Sequence, residues 1–105
     1  MVIEIKDLSS FNSQLSEAGT KLVVVDFFAT WCGPCKVIAP QIEEWAKSMD
    51  DVVFIKVDVD EAEDVAQHYN ITAMPTFMLF KETKKVADLM GANVTKLEEL
   101  INSNK

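Results

Sequence analysis

Cys32 and Cys35 are the only cysteines in the 105-residue chain, and only Gly33 and Pro34 separate them. A pair this close can cycle between dithiol and disulfide, ligate a metal, or simply fill space. A zinc site needs about four ligands, and His68 is the only other soft ligand in the chain. Filling space is a poor use of two thiols at a strand-to-helix elbow with Gly-Pro between them. Redox chemistry suits the position better. A helix N-terminus carries unpaired N–H groups and partial positive charge. A thiol placed there has its thiolate stabilised, and the thiolate is the nucleophile. Cys32, at the very end of the helix, is expected to have the lower pKa and the better exposure. Cys35, one turn inside, is within reach of a mixed disulfide formed on Cys32.

Three further positions interrupt their surroundings in ways that bear on this pair. Asp26 sits in Leu22-Val23-Val24-Val25-Asp26-Phe27-Phe28, apolar on both faces otherwise, so burial is expected. Desolvation raises the pKa of a buried carboxyl, and a carboxylate poised nearer neutrality could take the Cys35 proton as that thiol attacks. Lys56 interrupts the apolar run Val52 to Val57. It either snorkels to the surface or, if the two strands are neighbours, pairs with Asp26. Met74-Pro75 introduces a later strand; a cis bond there would bring the Met74 backbone to an extended substrate chain. Trp31 abuts the reactive cysteine and reads as part of a docking surface. Asp58-Val59-Asp60-Glu61 lacks the glycine and ligand spacing of a calcium loop and reads as helix capping, with Asp60 as cap and Glu63 three residues on.

The elements that must position these residues follow from periodicity. Val2 to Ile5 is a short edge strand. Leu8, Phe11, Leu15 and Ala18 recur at helical spacing after a cap at Asp7 or Ser9, and Gly19 stops the helix. Leu22 to Phe28 is a strand buried on both faces, as a parallel or mixed sheet requires. A helix runs from about Cys32 to Met49, with Pro34 in its first turn and a kink expected at Pro40. Val52 to Asp58 is a strand, and Ala62, Val65 and Ala66 mark a short helix ending near His68. Thr76 to Phe80 is a strand, Glu82 to Lys85 a turn, and Val86 to Met90 its hairpin partner, broken by Gly91. Asn93 caps a last helix with Val94, Leu97, Leu100 and Ile101 on its face. Met49, Met78 and Met90 are expected to fill core space. The order β-α-β-α-β-α-β-β-α implies an α/β fold: one domain, residues 1–105, with a five-stranded mixed sheet and helices on both faces.

Composition limits the rest. The hydrophobic share of 49% is that of an ordinary globular domain. The formal charge of −7 comes from 17 acidic residues against 10 lysines, with no arginine. That balance argues against nucleic acid and anionic membranes as partners and favours partners with basic rims. Met1 to Lys6 shows no secretory pattern, and no apolar stretch approaches the roughly 20 residues that span a bilayer. The expectation is therefore an intracellular protein, where structural disulfides are rare and a close cysteine pair is catalytic or metal-binding.

Val25-Asp26-Phe27-Phe28-Ala29, Trp31-Cys32-Gly33-Pro34-Cys35-Lys36 with Ala39-Pro40, Lys56-Val57-Asp58, Met74-Pro75-Thr76-Phe77 and Gly91-Ala92 stand in order along nearly the whole chain. This set resembles the thioredoxin family. The Gly-Pro dipeptide resembles its reducing members, and Tyr69 to Pro75 is similar to eukaryotic cytosolic ones. The resemblance implies a thioredoxin fold with four flanking helices and a protein-disulfide reductase of cell redox homeostasis. It implies Cys32 as attacking thiol, Cys35 as resolving thiol and Asp26 as buried proton acceptor. Lys56, Gly33, Pro34 and a cis Pro75 are supporting residues by the same carry-over, and Trp31, Met74, Gly91 and Ala92 form the substrate groove. It further implies thioredoxin reductase as electron donor, so that NADPH is used only indirectly and the dithiol needs no other cofactor. The implied clients are peroxiredoxins, ribonucleotide reductase and methionine sulfoxide reductases. The expected form is a monomer, in the cytoplasm and also the nucleus. The hairpin turn Lys81 to Lys85 lacks the family's glycine, and the extra regulatory cysteines of many animal members are absent. A redox-dependent binding module using the same groove is the alternative from another class.

Overall fold

A computed structural model describes residues 1–105. Its elements are β1 (Ile3–Ile5), α1 (Leu8–Glu17), β2 (Leu22–Phe28), α2 (Gly33–Ser48), β3 (Val52–Asp58), α3 (Glu63–His68), β4 (Thr76–Lys81), β5 (Lys84–Met90) and α4 (Val94–Asn104). They form one five-stranded sheet in the order β1-β3-β2-β4-β5. β1 and β2 both run parallel to β3, while β4 is antiparallel to β2 and β5 to β4. The expected mixed sheet with four helices is the one observed.

Alternation along the strands divides the core into two layers. Val23, Val25 and Phe27 of β2 pack with Ile55 and Val57 of β3 against Phe11 and Leu15 of α1 and Val65 of α3. Leu22 and Val24 face the other way with Val52 and Phe54, against Ile38, Ile42 and Trp45 of α2 and Leu97 and Ile101 of α4. The strand period of two continues this second face upward. It presents Asp26 and Phe28 of β2 beside Lys56 and Asp58 of β3, with register partners Asp26↔Lys56 and Phe28↔Asp58. A polar group thus sits at the end of the sheet where α2 begins.

α2 is capped by Cys32, whose Sγ accepts the Cys35 N–H at 3.2 Å. Pro34 occupies the first turn, and the helix continues through Pro40, which leaves the Lys36 carbonyl without an i+4 donor. Asn93 caps α4 through the Lys96 N–H, as its position predicts. The α3 start departs from expectation. Its N-cap is Ala62, without a side-chain cap bond, and Asp60 is turned elsewhere. The β4–β5 hairpin solves its missing glycine directly: Glu82 and Thr83 both take positive φ, 51° and 69°. Two left-handed central residues make a type I′ turn, whose twist matches the strands it joins. Between Leu79↔Ala87 and Phe80↔Lys85 the register slips by one, so Val86 is an extra residue forming a β-bulge.

Candidate active site

The elbow between β2 and α2 brings the two cysteines together. Cys32 and Cys35 are disulfide-bonded, with Cα atoms 5.3 Å apart. The Cys32 N–H donates to the Ala29 carbonyl at 3.2 Å, and the Cys32 carbonyl accepts the Lys36 N–H at 3.2 Å. These bonds fix the pair at the first turn of the helix. The expected difference in exposure is not found in this disulfide state. Cys32 is 5% exposed and Cys35 4%, because both sulfurs are packed with Ala29 under Phe28, Val59 and Met74. The apolar cover comes from three separate segments, which spacing near the cysteines does not reveal.

Asp26 lies on the α2 face of the sheet, 7% exposed. Its Oδ1 has no hydrogen-bond partner in the protein. Burial pushes its carboxyl up to about 7, against a partial downward pull from Lys56. A cleft of ≈ 310 Å³ joins Asp26 to Cys35, lined also by Phe28, Thr30, Lys36 and Lys56. Asp26 and Lys56 are neighbours in register, as the sequence allowed, yet they form no ion pair. The only ion pairs in the molecule are Lys85–Asp88 and Lys105–Asp51. The Lys56 ammonium instead lies 5.8 Å from the centroid of the Phe28 ring.

The rim around the disulfide is assembled from both ends of the chain. Trp31 is 67% exposed, and its indole N–H donates to Asp60 Oδ2 at 2.9 Å. Asp60 is held in turn by its own N–H, which donates to Asp58 Oδ1 at 2.9 Å. The Met74-Pro75 bond is cis, and Met74 packs against the cysteine cluster. The Gly91 N–H donates to the Pro75 carbonyl at 2.9 Å, which sets Gly91-Ala92 beside Met74-Pro75. Gly91 does this at φ 99°, a conformation that disfavours a side chain. Gly33 and Pro34 lie exposed on the α2 first turn. His68, the remaining soft ligand, ends α3 with its ring edge-on to Tyr69. No group of three or more His, Cys, Asp and Glu side chains is placed to hold a metal ion. Met90, expected in the core, is 67% exposed, because no helix covers that face of the edge strand β5.

Phe28, Asp58 and Asp60 were not among the residues that the sequence singled out for this site. The available signal was the strand period: Phe28 is two residues from Asp26, and Asp58 two from Lys56, so each pair shares a face.

The thioredoxin family model matches residues 2–103. The chain belongs to the thioredoxin family. It is 52% identical to the thioredoxin of Gallus gallus over 103 residues, covering 98% of each chain. It is 58% identical to thioredoxin-2 of Pyricularia oryzae over 84 residues, which are 80% of this chain and 49% of that protein. The solved structure of Fasciola hepatica thioredoxin superposes with a TM-score of 0.97 at 45% identity, covering 99% of this chain and 100% of that one. A chain from a structure of the thiol resolving mechanism in yeast mitochondrial 1-Cys peroxiredoxin via glutathione/thioredoxin systems superposes at 0.90 with 37% identity, covering 97% and 94%. Like other thioredoxins, the protein is a thiol–disulfide oxidoreductase of redox homeostasis acting on disulfide-containing clients. No helix is long and apolar enough to cross a membrane.

Proposed function

We propose that this thioredoxin reduces protein disulfides with Cys32 as nucleophile, Cys35 as resolving thiol and Asp26 as proton acceptor. In the dithiol state the Cys32 thiolate attacks one client sulfur, forms a mixed disulfide and expels the other client sulfur as a thiolate. Cys35 gives its proton to Asp26 and attacks the Cys32 sulfur. The Cys32–Cys35 bond forms, the bond to the client breaks, and the client leaves with two electrons, its two thiolates taking up protons from Asp26 and from solvent to become a dithiol. The observation that carries this assignment is the cleft in which a buried, unpartnered Asp26 carboxylate shares space with Cys35. A carboxyl poised near neutrality is matched to taking up and returning a proton at working pH.

The dithiol is the only redox group this mechanism uses. Its electrons come from NADPH through thioredoxin reductase, and the clients are peroxiredoxins, ribonucleotide reductase and methionine sulfoxide reductases, in the cytoplasm and nucleus. The peroxiredoxin reading is supported by the yeast structure; the others rest on family resemblance. Trp31, Met74, Gly91 and Ala92 line the apolar groove where the client chain docks, with Gly33, Pro34, Lys56 and Pro75 supporting it, and the protein works as a monomer. Reduction of insulin disulfides, coupled to a reductase and NADPH, tests the activity. Cys35→Ser should trap mixed disulfides with clients, seen on non-reducing gels. If Cys32→Ser retains turnover, the assigned nucleophile is wrong.

A further inference from the structure

Asp26 is buried with one oxygen unpartnered, Lys56 is its register neighbour, and Lys56 pairs with no carboxylate. The ammonium lies over the Phe28 ring at 5.8 Å from the centroid, within the roughly 6 Å at which an aromatic face attracts a cation. Phe28 is placed for this contact by the sheet. It is two residues beyond Asp26 on the same face, and its ring packs against the cysteine cluster as well as lining the cleft. The side chain that receives Lys56 is thus the one that covers the disulfide.

We propose that Phe28 is a positioning residue: its ring holds the Lys56 ammonium off Asp26, leaving that carboxylate unpaired to accept the proton of Cys35. An ammonium in direct contact would favour the ionised carboxylate and weaken it as a base. Held over the ring, the same charge acts only at a distance. The other charged groups around Asp26 come from α2. Lys36 lines the cleft on the side of the cysteines. Glu43 lines a second opening, of ≈ 100 Å³, that also reaches Asp26 and Lys56. β4 offers only Phe77 opposite Asp26; on the same face β3 adds Asp58, and β1 places Glu4 in register with Lys56 on the side away from Asp26, without an ion pair between them. Lys56 is therefore the one strand-borne cation beside Asp26, and Phe28 is the group that directs it. The functional consequence rests on Asp26 serving as the proton acceptor.

The test is an NMR titration of the Asp26 carboxyl carbon in the native protein, Phe28→Leu, Phe28→Trp, Lys56→Met and the Phe28→Leu/Lys56→Met double variant. Phe28→Leu should lower the Asp26 midpoint by about one pH unit and slow release of the mixed disulfide several-fold. Phe28→Trp should keep the native midpoint, because indole is the better cation acceptor. In the Lys56→Met background, Phe28→Leu should leave the midpoint where Lys56→Met alone puts it. An unchanged midpoint in Phe28→Leu overturns the proposal. So does an equal fall with Lys56 absent, which would assign the effect to burial by the ring. In the native protein the Lys56 ε-methylene protons should show a ring-current shift, a readout that needs no variant to fold; its absence also overturns the contact. The titration reads Phe28 without turnover, and turnover of Asp26→Asn reads the base role without Phe28, so the two failures are distinguishable.

Discussion

At the scale of single residues, Asp26 is where the chain accepts a cost to fold. Its carboxyl titrates at about 7 in the folded protein against an ordinary 3.8, chiefly through desolvation. Between those values the folded state holds a proton that the unfolded chain has released, so stability falls as pH rises through that interval. Below it both states are protonated and there is no penalty. Above it both are ionised and the penalty is complete, at most about 4 kcal/mol. Asp26→Asn should therefore stabilise the protein by a few kcal/mol at about pH 8 and by almost nothing near pH 3.5. Urea unfolding at both values is the measurement; equal gains would show that charge burial is not the cause.

Trp31 carries a second prediction at this scale. Asp60→Ala removes the acceptor of the indole N–H and frees the exposed ring that we propose as a wall of the client groove. KM for a protein disulfide should rise roughly three- to tenfold, while reduction of a small aromatic disulfide stays unchanged. Asp60→Asn keeps an acceptor oxygen and should recover most of the loss. Both residues show how far sequence reasoning reached. Burial of Asp26 was readable because the residues around it are apolar on both faces. The contact of Asp60 was not, because its spacing to Glu63 imitates a helix cap, and a tertiary partner 29 residues away took the carboxylate instead.

At the scale of elements, strand and helix order followed from periodicity, and the boundaries moved by a residue or two. The hairpin diverged most instructively. Residues 82–85 read as a turn whose type the missing glycine leaves open, whereas the chain takes Glu82 and Thr83 into the left-handed region. Each L-residue there costs about 1–2 kcal/mol. Glu82→Asn with Thr83→Gly should stabilise the fold by about 1 kcal/mol, once the added flexibility of glycine in the unfolded chain is offset. Denaturant midpoints with an unchanged m-value would confirm it. β5 was also misjudged at its end. The apolar alternation of β5 runs through Ala87 and Leu89; Met90 falls on the opposite face with Asp88, where no helix covers the edge strand, and lies in water.

At the scale of the whole molecule, the charge of −7 matters most at encounter. Asp60 is bonded to Trp31, and Glu61 follows it in the chain, so acidic residues accompany the surface proposed for client docking. Association with basic-rimmed clients should slow as salt is raised through the physiological range, while the rate with an acidic client rises or holds. Second-order rate constants measured against ionic strength decide this; the same slope for both kinds of client would remove electrostatic steering. Overall charge was legible from composition, but its relation to the groove required the fold.

The bulge at Val86 has a consequence for how the protein behaves when concentrated. β5 is an edge strand, and an edge of unpaired N–H and C=O groups is a template on which another chain can add. The extra residue breaks the regular ladder, and Lys84 and Lys85 stand just before it. Together they make the edge a poor surface for strand addition. Deleting Val86 and replacing both lysines with threonine would straighten and neutralise it. Light scattering of that variant should reveal self-association at concentrations where the native chain stays dispersed, with no change required at the dithiol.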